Sequence, residues 1–323
     1  MPRSCVMEKD REQELGKMLL LEQMIVLFIL MGIGYFCHKK QIITDEVSKK
    51  LSAIVVNIAN PALILTGCMS EEKIRGEELL LTGAVMISMY AVLLILARVL
   101  PCLLGVKKES RGTYGAMTVF SNIGFMGFPV ISALYGNGAL LYAALFMIPY
   151  NILIYTYGVS AMSPEKKQGT EKGPSKLGRI FNIGVIACIL TMIIYLTGIQ
   201  TPEFVQKTVT NLSNLTAPLS MMVIGASLAA IDLKKLFLDV RLVAFSVIKL
   251  ILIPVLGMLL IKQVVSNEII CGVCMVMLAT PVGSMTAMLA QQYDGDYKMA
   301  SEGVALTTVL SVITMPLVSA LVM

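Results

Sequence analysis

"SNIGFMGFPVISALYG", residues 121–136, lies in an apolar stretch long enough to cross a bilayer, yet it carries an asparagine, glycines and a proline. Hydrocarbon offers backbone N–H and C=O groups no partner, so irregular backbone survives at membrane depth only inside protein or beside a water-filled cavity. Pro129 removes one donor and blocks the carbonyl a turn earlier. Gly124 and Gly127 let another backbone approach closely. Asn122 can donate and accept in the gap. The stretch predicts a membrane helix broken at Pro129 and turned toward protein rather than lipid.

The rest of the chain supports a membrane setting. Of 323 residues, 56% are hydrophobic and 15% charged, against about 45–50% and about 25% in soluble domains. Polar residues are too few to coat a soluble globule of this size. About 20 apolar residues span a bilayer, and such runs recur at 20–37, 51–70, 79–100, 115–136, 139–162, 180–198, 208–231, 241–261, 269–292 and 299–322. The expected fold is an all-α integral membrane protein of about ten transmembrane helices. The net charge of +5 is not a nucleic-acid signal, because the basic residues cluster in loops between apolar runs. The seven cysteines are odd in number and lie mostly in apolar runs, so they read as small hydrophobes, not a disulfide framework.

The clear hydrophilic linker is "SPEKKQGTEKGPSK", residues 163–176, and it divides the spans five and five. Span two reads "VNIANPALILTG" and span seven "SNLTAPLSMMVIG"; Pro61, Pro101, Pro129 and Pro149 pair in chain order with Pro218, Pro254, Pro281 and Pro316. This predicts a duplicated unit: a polar tail 1–19, a first five-helix repeat 20–162, a linker 163–179 and a second repeat 180–323. An odd number of spans per unit inverts the second copy, an architecture common among secondary transporters. Lysine and arginine favour cytoplasmic loops. They concentrate at Lys39, Lys40, Lys49 and Lys50, at Lys107, Lys108 and Arg111, in the central linker, and at Lys234, Lys235 and Arg241. The central loop is therefore expected in the cytoplasm and both termini outside; the tail, with Arg3, Lys9, Arg11 and Lys17, dissents.

The same logic of interruption fits "LATPVGSMTAM" in span nine, where Thr280 can cap, Pro281 suits a first helical position and Gly283 leaves room. Two half-helix N-termini then meet near mid-membrane, each with free N–H groups and about half a positive elementary charge. Such a pair favours an anion. The candidate binding residues are Asn122, Gly127 and Pro129 with Thr280, Pro281, Gly283 and Ser284. Lys249, mid-span in "SVIKLILIP", adds a full charge for anion attraction or coupling, or else forms a structural pair with an acid or carbonyl. Asn60 and Asn214, with Asn57, Asn211 and Thr216, sit around the prolines of spans two and seven, as cavity lining or interhelical glue.

"NIGFMGFPV" (122–130), "TPVGSMTAMLAQQYDGDYKMASEGVALTTVLSVITMPLV" (280–318) and "LFILMGIGYFCHKKQIITDE" (27–46) resemble the auxin efflux carrier family. The likeness covers nearly the whole chain from about residue 20. It implies ten helices in two inverted five-helix repeats, like sodium/proton antiporters and bile-acid transporters, with the fourth and ninth crossing at prolines. Plant members export an indole-acid anion; bacterial members are often described as malate, malonate or other carboxylate permeases. The family's span-four asparagine and proline carry over to Asn122 and Pro129, and its span-nine proline to Pro281. Many members begin span six with Asn-Pro, where this chain has Asn182-Ile183, which leaves the role of Asn182 open. Plant carriers have a second span-nine proline where this chain has Thr286.

Other features carry less. "YDGD" around Asp294 and Asp296 reads as a solvated turn, Glu302 as interfacial, and Cys271 and Cys274 as an apolar C-x-x-C without redox context. No Walker loop, H-E-x-x-H motif or intramembrane catalytic constellation is present in the sequence. The expected protein is a secondary transporter of a small organic anion, with a proton or sodium ion as candidate coupling ion, a lipid bilayer around it, no cofactor and no nucleic acid. A homodimer, an anion channel and a non-transporting receptor or subunit stay open.

Overall fold

The computed structural model describes residues 22, 25–69, 76–162, 183–229, 236–293 and 295–322. These form helices without a named strand; the one bridge pairs Ser121 with Val282, antiparallel. The helices are α1 (Ile25–Lys39), α2 (Asp45–Ile54), α3 (Asn60–Thr66), α4 (Gly76–Leu103), α5 (Arg111–Val119), α6 (Phe128–Tyr135), α7 (Ala139–Leu153) and α8 (Val159–Met162). After the linker come α9 (Ile183–Thr197), α10 (Glu203–Ser213), α11 (Thr216–Ala229), α12 (Val240–Val247), α13 (Ile253–Val264), α14 (Glu268–Ala279), α15 (Ser284–Gln292) and α16 (Tyr297–Val322). Among the described residues, six helical stretches are long and apolar enough to cross a membrane: Asp45–Met69, Gly76–Leu103, Ala139–Met162, Glu203–Ala229, Val240–Val264 and Tyr297–Val322. Shorter apolar helices among the described residues lie at Ile25–Lys39, Ile123–Tyr135, Ile183–Thr197 and Glu268–Ala279.

Prolines write much of the local geometry. Single π-helical turns occupy Val55–Ala59, Ile123–Gly127, Ile154–Gly158 and Ile248–Leu252, and all but the third end two residues before a proline: Pro61, Pro129 and Pro254. A proline has no N–H and its ring displaces the carbonyl four residues back; a widened turn accommodates both. The carbonyl released by Pro129 belongs to Phe125, and Ser220 Oγ donates to it at 2.9 Å.

This corrects the expected position of the first break. The helix is interrupted at Phe120–Asn122, where Phe120 is extended (φ −98°, ψ 96°) and Asn122 sits at φ −79°, ψ 60°. Pro129 lies a π-turn later, inside the second half-helix. In the second broken helix the proline is at the break itself: Thr280 and Gly283 are extended on either side of Pro281 and Val282.

The helices sort into two groups by packing. In the first, α2 and α3 run along α11 and α10, and α9 packs on α3. Here α1 crosses α11 so closely that a Cβ on Gly34 would meet the Met222 carbonyl, and one on Gly225 the Met31 carbonyl. Small residues allow such backbone contacts between membrane helices. In the second group α4, α8 and α16 pack around α5, while α13 and α16 pack on α14. The broken helices are the deepest elements: every residue from Thr113 to Ile123 and from Ile270 to Gly283 is buried. By contrast α4 exposes Leu80, Ile87, Val92, Ile95, Val99 and Leu103, an apolar face suited to lipid. The irregular backbone thus sits where it must, inside protein.

Contacts also pair the connecting segments. At one end Ser110 Oγ donates to Asp296 Oδ2 at 2.8 Å, and Gly295 and Gly112 abut the backbone at Met162 and Ala161. At the other, Tyr142 donates to Glu78 at 2.9 Å and Gly272 abuts the Tyr135 ring. Asp296, expected in a solvated turn, therefore has two structural tasks: Oδ1 also accepts from Met299 N at 3.1 Å, capping α16.

Candidate functional site

The two breaks cross and bind each other. Asn122 N donates to Pro281 O at 2.7 Å, and Gly283 N donates to Phe120 O at 2.8 Å. Neighbouring helices satisfy more of this backbone: Val282 N donates to Thr307 Oγ1 of α16 at 3.1 Å, and Thr307 in turn donates to Gly303 O. A Cβ on Gly283 would lie 2.9 Å from Ser121 O, so glycine is required for the approach.

Lys249, on the π-turn between α12 and α13, is fully buried. Its Nζ donates to Ser121 Oγ at 2.8 Å and to Thr118 O at 3.2 Å. The ammonium therefore faces the C-terminal end of α5, the negative end of that half-helix dipole. It has three donors, and two are used in these bonds.

Several polar atoms at the crossing are buried without a hydrogen-bond partner among the described residues: Asn122 Nδ2, Asn60 Oδ1, Thr216 Oγ1 and Thr286 Oγ1. Asn60 Nδ2 lies 3.0 Å from where a Cβ on Gly124 would stand, which places this amide against the π-turn Ile123–Gly127. Thr216 is one helical turn before Ser220, whose hydroxyl reaches Phe125 O of the same π-turn. A buried polar group without a partner costs roughly 1–3 kcal/mol, and such groups are rare enough in native proteins to need an explanation.

A family model described as membrane transport protein matches residues 19–319. The chain belongs to this family, the auxin efflux carriers. It is 25% identical over 311 residues to the uncharacterized transporter MJ1031 of Methanocaldococcus jannaschii, covering 93% of this chain and 98% of that one. An uncharacterized transporter of Methanothermobacter thermautotrophicus is 22% identical, over 92% of this chain and 96% of its own. The uncharacterized transporter YfdV of Escherichia coli is 21% identical, over 74% and 76%. The protein is thus a multi-pass membrane transporter.

In this transporter the crossing gathers Asn122, Gly127, Thr280, Pro281, Gly283 and Lys249, with Asn60 beside Gly124. Thr280 packs its methyl 3.7 Å from the Cβ position of Gly127 and spends its hydroxyl on Met277 O. Ser284 opens α15, half-buried. Asn214 does not join them: it is exposed on the turn between α10 and α11, and the buried polar side chain of that segment is Thr216. Asn57 and Asn211 are likewise exposed, and Asn57 Nδ2 bonds back to Ala53 O at 2.8 Å. Asn182 lies outside the described residues. Tyr150 also reaches the crossing, its hydroxyl 3.2 Å from the Cβ position of Gly283 and its ring edge-on to Phe120. Glu302 is half-buried, 4.0 Å from Lys298, near the start of α16.

Proposed function

We propose that this transporter moves a small organic anion, a carboxylate, by secondary active transport, holding it at the crossing of the two broken helices. The observation that carries this reading is electrostatic. Four half-helix ends converge on the crossing: α5 and α14 end there, and the π-turn leading to α6 and helix α15 begin there. Their partial charges, about half an elementary charge each, roughly cancel in sum. Lys249 adds a full positive charge against the C-terminal end of α5, so the balance at the crossing is positive. An anion there finds the Asn122 amide and free half-helix N–H groups, donors of the kind that carboxylates accept from.

Ten crossings in two inverted repeats fit the same picture. Ser110 meeting Asp296, and Met162 meeting Gly295, support the connection three–four, the connection nine–ten and the end of span five lying on one side. That side is the lysine-rich one. The reading puts it in the cytoplasm with the central linker and both termini outside, and assigns residues 20–162 and 180–323 to the two repeats. Alternating access then moves the group containing the crossing against the group of α1–α3 and α9–α11.

Two experiments test these statements. In a cysteine-free background, Gln200→Cys should react with a membrane-impermeant thiol reagent in intact cells and Gln41→Cys should not; the opposite pattern contradicts the orientation. For the substrate class, purified protein should melt at a higher temperature with at least one member of a panel of mono- and dicarboxylates. A ligand at a hundred times its Kd stabilises by about 2.7 kcal/mol. Unchanged melting across the panel contradicts the carboxylate assignment.

A further inference from the structure

Lys249 is the only charged side chain buried among the described residues. Its two partners, Thr118 O and Ser121 Oγ, are both neutral. The acids on the helices packed around it are engaged at helix ends: Asp239 caps α12, Asp296 caps α16, Glu268 lies in the first turn of α14, and Glu302 stands near Lys298. No carboxylate among them neutralises the ammonium. The π-turn that carries Lys249 packs against α14 and α16, in the same group as the crossing. If that group moves relative to the membrane, its charge moves too.

Carrying a net charge through a low-dielectric region is costly, and an opposite charge alongside removes most of that cost. With the crossing empty, the interior of the mobile group carries one buried positive charge, Lys249. With one monovalent carboxylate beside Lys249 it is neutral, and with a dianion it carries one negative charge. From Lys249 lying against the crossing with no carboxylate partner among the described residues, we infer that the protein is an exchanger of monovalent carboxylates: the loaded form reorients as a neutral pair, while the empty form reorients reluctantly. Entry of one anion is thereby tied to exit of another. This rests on the carboxylate reading above and adds the mode of transport and the charge of the substrate.

The test uses the full chain in proteoliposomes, with radiolabelled acetate, lactate, pyruvate, malonate and succinate, at a pH where the last two are dianions. Efflux is timed with and without the same unlabelled anion outside, and under potassium–valinomycin potentials of both signs. A monovalent anion should exchange at least about tenfold faster than it leaves alone, which needs a barrier difference of only ~1.4 kcal/mol. The exchange rate should not change with potential, whereas net efflux should. Lys249→Arg, which keeps the charge, should keep the ratio. Net efflux as fast as exchange, exchange that follows the potential, or preference for a dianion would overturn the inference while leaving the carboxylate reading intact. If no member of the panel moves, the carboxylate reading fails and this inference fails with it.

Discussion

Lys249→Met should lower anion transport by at least two orders of magnitude while the protein still inserts and folds. Methionine keeps the length and apolar stem of lysine and removes the ammonium. The loss to the anion is large: unit charges about 4 Å apart attract by about 4 kcal/mol at an effective dielectric near 20, close to a thousandfold in affinity. The effect on folding is smaller because its parts oppose. Ser121 Oγ and Thr118 O lose a donor, and α5 loses a cation at its C-terminal end, which costs about 1–3 kcal/mol. Against this, the cost of burying an uncompensated charge disappears. Lys249→Arg should recover part of the activity, since it keeps the charge in a different shape. Counterflow in proteoliposomes measures both variants. A Met variant working at the wild-type rate would mean that Lys249 only caps α5.

Asn122→Ala separates binding from folding in the same way. The side-chain Nδ2 has no partner among the described residues, and the bond that joins the two breaks comes from the backbone N–H, which alanine retains. The variant should therefore melt within a degree or two of wild type without substrate. A hydrogen bond from a buried amide to a charged ligand contributes about 1.5–3 kcal/mol, so Kd for the carboxylate should rise roughly tenfold to a hundredfold. Equilibrium binding and melting on the same preparations decide it. An unchanged Kd with a lowered melting temperature would make Asn122 a packing residue.

The two interrupted helices were legible in the sequence because proline and glycine act locally. The first interruption was read at Pro129 and lies at Phe120–Asn122 for a physical reason. A proline disturbs the turn before it, and here that turn absorbs the disturbance as a π-turn, leaving the helix beyond it continuous. The true break is set by its partner: Phe120 and Asn122 leave the helix to bond Gly283 and Pro281, residues far away in the chain. Side chains followed the same division. Lys249 stood out because a charge in mid-span is conspicuous. Ser121, Ser220 and Thr307 did not, although they join helices at the crossing. Ser88, Thr118 and Thr191 occupy similar apolar contexts and simply bond a carbonyl of their own helix. A hydroxyl that turns inward along its helix and one that reaches across look alike in a single sequence. Asn214 and Thr216 divide likewise: two residues apart, they fall on different faces, and the turn at Asn214 and Leu215 decides which is buried.

The central claim is that a carboxylate occupies the crossing. It is tested most directly by a cryo-electron-microscopy map of the protein in lipid nanodiscs, bound to an antibody fragment and saturated with the carboxylate that raises melting most. Density for the carboxylate within hydrogen-bond reach of Asn122 Nδ2 and Lys249 Nζ is the expected result. Density elsewhere under saturating conditions, such as along the exposed polar face of α10 at Gln206, Lys207 and Thr210, with the crossing closed on itself, would contradict it.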